Sequence, residues 1–271
     1  MARKPQQQHK RTSKRKRTSA PAAASAVVPI DYWVMARQPL HCLIFLIPLL
    51  VIYEAGVLML ANGNSAALRN GADYWMRGWL ASIGLTQALL LPCLVIGAML
   101  AWQIVGRYPW KVKGTTIAGM VGESLLFAIF LMAMGQLHDL MFEQLSIDRL
   151  AAVGRPSPAN RVVAFIGAGV YEEVMFRLCL LPIGYGIFRV FEIPPKWAAG
   201  LAVFSTSLVF AFAHYIGPSA DQFSMFSFTF RAIAGIFFAG LFFIRGFGIT
   251  VGSHAAYDLL VGVLLVSNEV G

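Results

Sequence analysis

Charged residues are scarce in this chain. Only 13% of its 271 residues are Asp, Glu, Lys or Arg, whereas an ordinary soluble domain contains about 25%. Apolar residues make up 58%. So little charge and so much apolar surface exclude an ordinary soluble domain and indicate an integral membrane protein with several spanning segments.

Acidic residues are absent from the first 17 residues, which contain eight Lys or Arg. The rest of the chain has 14 basic and 13 acidic residues, so the net charge of +9 comes from this tail. Residues 1–30 also lack Phe, Trp and Tyr, and we expect them to form a disordered, basic, cytosolic tail. Such a tail suits anionic lipid headgroups, and we expect no nucleic-acid binding.

Cysteine is rare as well. Cys42, Cys93 and Cys179 lie far apart in apolar segments without a CxxC spacing, so no disulfide framework is expected. We expect no cleaved signal peptide, because the first apolar stretch follows about 39 residues of chain and is long enough to span a bilayer. No internal repeat is evident, which argues against an inverted-repeat transporter.

The chain is rich in apolar segments near the length of about 20 residues that a spanning helix needs. Seven such segments lie near residues 40–61, 80–105, 116–138, 162–187, 198–216, 224–244 and 247–266. We therefore predict an all-α bundle of about seven transmembrane helices, with N-terminal helices over 31–160 and a transmembrane core over 161–267. Basic loops at Lys111 and Arg189 predict a cytosolic N-terminus, most simply in the plasma (inner) membrane.

Two adjacent acids interrupt the fourth segment. Glu172 and Glu173 follow an apolar run, and Arg177 comes four residues after Glu173. A charge at membrane depth costs about 2.5–3.5 kcal/mol, so these residues either lock helices together or perform chemistry. Residues four apart share a helix face, which predicts a Glu173–Arg177 pair. Glu172 then has no partner on its own helix and is the candidate general base.

Two later apolar segments each carry a histidine. His214 ends the fifth segment, and His254 lies four residues before Asp258 in the seventh. Asp258 can accept a hydrogen bond from His254 and fix its tautomer, or can join it as a metal ligand. With Glu172, these side chains suit a divalent ion such as zinc with an open position for water. They suit equally a metal-free site that holds the water directly.

The three motifs, taken in order, resemble those of type II CAAX prenyl endopeptidases and their bacterial relatives. That family consists of intramembrane glutamate-dependent or metallo-endopeptidases. The resemblance covers about residues 160–265 and rests on these motifs: Glu172-Glu173-xxx-Arg177, Phe210-xxx-His214 and His254-xxx-Asp258.

The resemblance implies roles for these residues. Glu172 would activate the attacking water, and His214, His254 and Asp258 would complete the site. The supporting residues would be Glu173, Arg177 and Phe210. The substrate would be a membrane-associated or lipidated protein or peptide, cut near its C-terminus. Many family members have Asn at the third motif's last position, so the extra charge of Asp258 favours a bound ion.

Two other interpretations compete: a proton- or ion-coupled transporter that uses the acids and histidines as a relay, and a non-catalytic immunity or scaffold protein. The enzyme hypothesis carries one geometric difficulty. His214 lies about 17 residues into its segment and His254 about seven, so straight helices put them at depths about 15 Å apart. Of the remaining intramembrane charges, we expect Glu54 and Glu123 to pair between helices and Arg231 to reach towards the membrane surface.

Overall fold

The structure is a computed structural model that describes residues 32–60, 68–141, 157–217 and 220–265. All regular structure in these ranges is helical. The α-helices are α1 Tyr32–Met35, α2 Pro39–Leu60, α3 Gly71–Ser82, α4 Leu90–Val105, α5 Gly114–Met141, α6 Pro158–Gly167, α7 Leu181–Val190, α8 Pro195–Ala213, α9 Met225–Arg245 and α10 Phe247–Leu259. The predicted tail, residues 1–30, lies outside the described residues.

The prediction of an all-α membrane protein is confirmed. Four helices, α2, α5, α8 and α9, are long and apolar enough to cross a membrane by length and composition. Helix α4 and the run Phe247–Val263 are apolar but shorter. The predicted fourth segment is a helical run in which π-helical turns, Ala168–Glu172 and Val174–Leu180, separate α6 from α7. Each of the seven predicted segments therefore contains a helix, but only four qualify as spans.

The second predicted segment began too early. Residues 83–89 form a turn between α3 and α4, in which Gly84 has a φ of 84° that favours glycine. Because this stretch is mostly apolar, its composition did not indicate that a turn interrupts the segment. Helix α3, which precedes it, was not predicted, because its charged residues were assigned to a loop.

Helix α10 lies at the centre of the bundle. Every residue from Phe247 to Ala255 is buried, and the helix contacts α2, α5, α6, α9 and the first π-helical turn. Glycines permit this close packing: a Cβ on Gly248 would lie 3.1 Å from the backbone of Cys42, and one on Gly252 would lie 2.3 Å from Ser124 Oγ. Its residue His254 is therefore held in the interior.

Interhelical pairing accounts for one of the buried acids. Arg245 of α9 donates two hydrogen bonds of 2.7 Å to the carboxylate of Glu123 on α5. The guanidinium also lies 3.9 Å from the ring centroid of Trp33. Charge compensation and the aromatic face together stabilise an arginine that is only 3% exposed at its side chain.

Gly169 provides a test of the packing that joins the first π-helical turn to α10. A Cβ at this position would lie 2.6 Å from the backbone nitrogen of Ala255, which cannot move aside without shifting the helix. Gly169→Ala should therefore destabilise the protein by about 1–3 kcal/mol. Gly200→Ala is the matched control, because nothing lies within 4 Å of its Cβ position. Thermal unfolding in detergent compares the two, and equal melting temperatures would contradict the packing account.

Candidate active site

Glu173 is a fully buried carboxylate with two partners. Its Oε2 lies 3.1 Å from Arg177 Nε, and its Oε1 lies 2.7 Å from His254 Nδ1. The carboxylate only accepts hydrogen bonds, so Nδ1 is the protonated nitrogen of this contact. The sequence suggested Asp258 as the residue that orients His254, whereas the structure places Glu173 in that position.

Arg177 and Phe210 pack around the contact between Glu173 and His254. Arg177 donates to the carbonyl of Gly235 at 3.1 Å, and its guanidinium lies 4.8 Å from the ring centroid of Phe210. Phe210 also meets the rings of His214 and His254 edge to face, with centroids 5.0 and 6.1 Å apart. The phenylalanine therefore packs against the arginine and against both imidazole rings.

Glu172 points away from Glu173 and towards the two histidines. Its Oε2 lies 3.9 Å from His214 Nε2 and 3.8 Å from His254 Nε2. This oxygen is buried and has no hydrogen-bond partner among the described residues. These distances leave room for a water molecule to bridge the Glu172 oxygen to either imidazole nitrogen. Asp258 completes the group, with Oδ2 3.6 Å from His254 Nε2.

The hydrogen bond at Nδ1 determines the tautomer of His214. Nδ1 lies 2.9 Å from the carbonyl oxygen of Phe210, and a carbonyl oxygen only accepts, so Nδ1 carries the hydrogen. In the neutral ring Nε2 then presents a lone pair towards Glu172 and the space beside it. His214 can therefore accept a hydrogen bond from a water molecule there.

The two histidines lie at one level despite their different positions along their segments. Both rings lie within 4 Å of the same Glu172 oxygen, so the assumption that α8 and α10 begin at a common depth was wrong. Helix α8 runs for 19 residues before His214. Helix α10 begins directly after Gly246, whose φ of 89° joins it to α9 without a loop. Its start consequently lies closer to the level of the site.

The converging side chains line a cavity of about 510 Å³. The cavity also has aromatic walls, formed by Phe226, Phe230, Phe238 and Tyr257. Arg231 lines it as well, while its guanidinium pairs with the half-exposed Asp221 that precedes α9. Phe238 stacks on His254, with ring centroids 4.5 Å apart and planes 18° apart. The site is thus a pocket whose lining combines aromatic side chains with the candidate catalytic groups.

A second charged cluster holds Tyr171, the residue before Glu172. The Tyr171 hydroxyl donates to Glu54 Oε1 at 2.5 Å, and Arg77 of α3 donates to the same oxygen at 2.7 Å. Glu54 of α2 is therefore compensated by an arginine, as interhelical pairing predicts. Its link to Tyr171 was not expected, and it connects the cluster to the backbone that carries the candidate base.

Helix α3 completes this cluster. Asp73 accepts hydrogen bonds of 2.6 Å from both Arg69 and Arg77, and one of 2.7 Å from Tyr53. Asp73 and Arg77 are four apart and lie on one face of α3, and Arg69 directly precedes the helix N-cap. The side chain of Asn70 caps the helix by accepting from the Asp73 backbone N–H at 2.8 Å. The spacing and the cap are the sequence signals that could have revealed this helix.

Tyr171 is expected to position Glu172. Tyr171→Phe removes the hydroxyl while Glu54 keeps Arg77 as a partner, so the fold should survive with a nearly unchanged melting temperature. Loss of the tether should let Glu172 shift, and kcat for any reaction that uses Glu172 as its base should fall about tenfold with little change in KM. Tyr185→Phe, on the exposed side of α7, is the control. Equal kcat values in both variants would exclude a positioning role.

The comparison with known families agrees with the motifs. Residues 155–260 match the family described as Type II CAAX prenyl endopeptidase Rce1-like. The match contains all three motifs and leaves α1 to α5 outside it. No curated protein and no solved structure matches the chain. The predicted resemblance is confirmed over residues 155–260, where this chain is similar to the Rce1-like type II CAAX prenyl endopeptidases.

Proposed function

We propose that this protein is an intramembrane endopeptidase that hydrolyses a peptide bond of a membrane-associated or lipidated protein or peptide. The observation that carries the proposal is the approach of Glu172 Oε2 to two imidazole nitrogens, at 3.9 and 3.8 Å, inside a cavity. A carboxylate with two imidazoles is a set of groups that can hold and deprotonate water. The Rce1-like match over the same residues supports this chemistry.

The reaction begins with a water held by Glu172 and His214. Glu172 takes one proton, His214 Nε2 accepts a hydrogen bond from the other, and the oxygen attacks the scissile carbonyl carbon. Both ring nitrogens of His254 face carboxylates, which only accept hydrogen bonds. This surrounding suits a ring with a hydrogen on each nitrogen. Its Nε2–H is then the donor for the oxyanion. Collapse breaks the C–N bond, and Glu172 returns its proton to the leaving amine.

Glu173 and Arg177 act through His254. The Glu173 carboxylate holds His254 Nδ1 at 2.7 Å, and Arg177 keeps that carboxylate charged in the interior. Asp258 adds negative charge beside His254 Nε2. We assign Glu172, His214 and His254 to the reaction and the other three residues to support. A lipidated substrate, as the family name implies, and a plasma-membrane location with a cytosolic N-terminus stay predictions.

The divalent ion also stays a prediction. Glu172, His214, His254 and Asp258 would hold it, and it would act as a Lewis acid on the carbonyl and lower the pKa of bound water. Across the described residues, however, no three His, Cys, Asp or Glu side chains form a group that could hold a metal ion. The steps above are therefore assigned to side chains alone.

The two adjacent acids should respond differently to substitution. Glu172→Gln keeps the volume but removes the base, so cleavage should fall about 100-fold or more while the protein still accumulates in membranes. Arg177→Ala leaves the Glu173 charge uncompensated, at a cost of about 3–5 kcal/mol, so the protein itself should become scarce. Turnover is measured with the protein in proteoliposomes. The substrate is an S-farnesylated peptide ending in Cys-aliphatic-aliphatic-X, and mass spectrometry detects its cleavage.

Glu192→Gln is the matched control for Glu172→Gln, because Glu192 is exposed and does not line the cavity. It should cleave like the wild type. Loss of protein rather than turnover in Glu172→Gln would contradict separate roles for the acids. Full turnover in that variant would overturn the enzyme proposal.

Chelation decides between the two forms of the mechanism. If the divalent ion is bound, a membrane-permeant chelator should abolish turnover of the purified protein, whereas chemistry by the side chains alone should leave turnover unchanged. The measurement is the cleavage rate before and after chelation, with the metal content of the same sample. Loss of activity that returns with zinc or cobalt would establish the ion instead and place Glu172 among its ligands.

A further inference from the structure

Arg231 is a cation inside the cavity that the proposed mechanism does not use. Its side chain is 24% exposed, and the guanidinium lies 5.3 Å from the ring centroid of Tyr215. One terminal nitrogen donates to Asp221. The other, Nη1, is buried without a hydrogen-bond partner among the described residues. A guanidinium has five N–H donors in a planar fork, so this one retains donors for an anionic ligand.

The position of Arg231 along α9 sets a distance to the reacting groups. Phe238 stacks on His254 and marks the level of the site. Arg231 precedes Phe238 by seven residues, which is about 10 Å along the helix axis. An extended peptide covers the same distance in about three residues, at roughly 3.3 Å each. Between the two levels α9 presents Ala234 to the cavity, so the helix wall there is apolar.

We propose that Arg231 binds the free C-terminal carboxylate of the peptide substrate, about three residues beyond the bond that is cut. The inference rests on the proposed endopeptidase function and adds the group that positions the substrate's end. A carboxylate matches the guanidinium fork in shape and charge, and the apolar wall suits the intervening side chains. Arg231 is thus a specificity-determining residue that selects peptide ends over internal segments.

Asp221 compensates the partly buried charge of Arg231 before substrate binds. Its carboxylate pairs with Arg231, its backbone N–H donates to the carbonyl of His214 at 2.9 Å, and its side chain is 54% exposed. A substrate carboxylate can bind at Nη1. It can also displace the Asp221 carboxylate, which then moves into solvent at little cost in free energy. A half-exposed partner of this kind makes loss of Arg231 tolerable for folding.

The test compares two forms of one peptide on the full-length protein in proteoliposomes. The peptide is S-farnesylated, ends in Cys-Val-Ile-Ser, and carries either a free carboxylate or a C-terminal amide. Wild type should cleave the acid at least about tenfold more efficiently in kcat/KM, as expected for a lost charge-assisted hydrogen bond. Arg231→Gln should reduce this ratio to near one, and Arg231→Lys should restore part of it.

Two further variants exclude indirect effects. Asp221→Asn should keep or raise the preference for the acid, because it removes only the competing carboxylate. If the arginine merely held the Asp221 segment in place, Asp221→Asn would lose the preference together with Arg231→Gln, and the proposal would fail. Lys196→Gln, which removes an exposed charge outside the cavity, is the control for net charge.

Binding separates failure of this inference from failure of the proposed function. The acid and amide peptides are titrated into Glu172→Gln protein and into the Glu172→Gln/Arg231→Gln double variant. Preferential binding of the acid that depends on Arg231 supports the inference even if the wild type cleaves neither peptide. Equal binding of both forms overturns it even if both are cleaved. Retention of phosphatidylglycerol that depends on Arg231, without any preference for the acid, would assign the site to a lipid headgroup instead.

Discussion

The buried carboxylate of Glu173 is the constraint on which the site depends. A charge in a helix bundle must be compensated, and removing one partner of such a pair typically costs about 3–5 kcal/mol. Glu173 divides its two oxygens between Arg177 and His254, at 3.1 and 2.7 Å. The same bond that satisfies the acid also aims His254 at the cavity. Stability and the orientation of a candidate catalytic group are therefore coupled in one side chain.

Glu172 is held by different means. Its neighbour Tyr171 is bound to Glu54 at 2.5 Å, and Gly169, three residues earlier, fits against the backbone of α10. The intervening turn is π-helical, a geometry that recurs at functional sites because it alters which side chains share a face. The N-terminal helices, which lie outside the family match, thus contribute Glu54 and the α3 charges that hold this turn.

Local spacing predicted the parts of the site that depend on a single helix. The four-residue interval identified the Glu173–Arg177 pair, and composition identified the helical membrane fold. Contacts between helices could not be predicted from the sequence. The distance along each segment placed His214 and His254 at different depths, because sequence carries no information on where α8 and α10 begin relative to each other. For the same reason the partner of His254 and the inward position of Arg231 emerged only from packing.

The most direct test of the account is an experimental structure of the full chain in a lipid environment, at a resolution that defines ordered water. The central claim is that Glu172 and His214 hold one water molecule beside His254. The account predicts a solvent peak within about 3.2 Å of both Glu172 Oε2 and His214 Nε2, with Glu173 still bound to His254 Nδ1. Imidazoles that face outwards from the bundle, or a Glu172 carboxylate paired with Arg177, would contradict it.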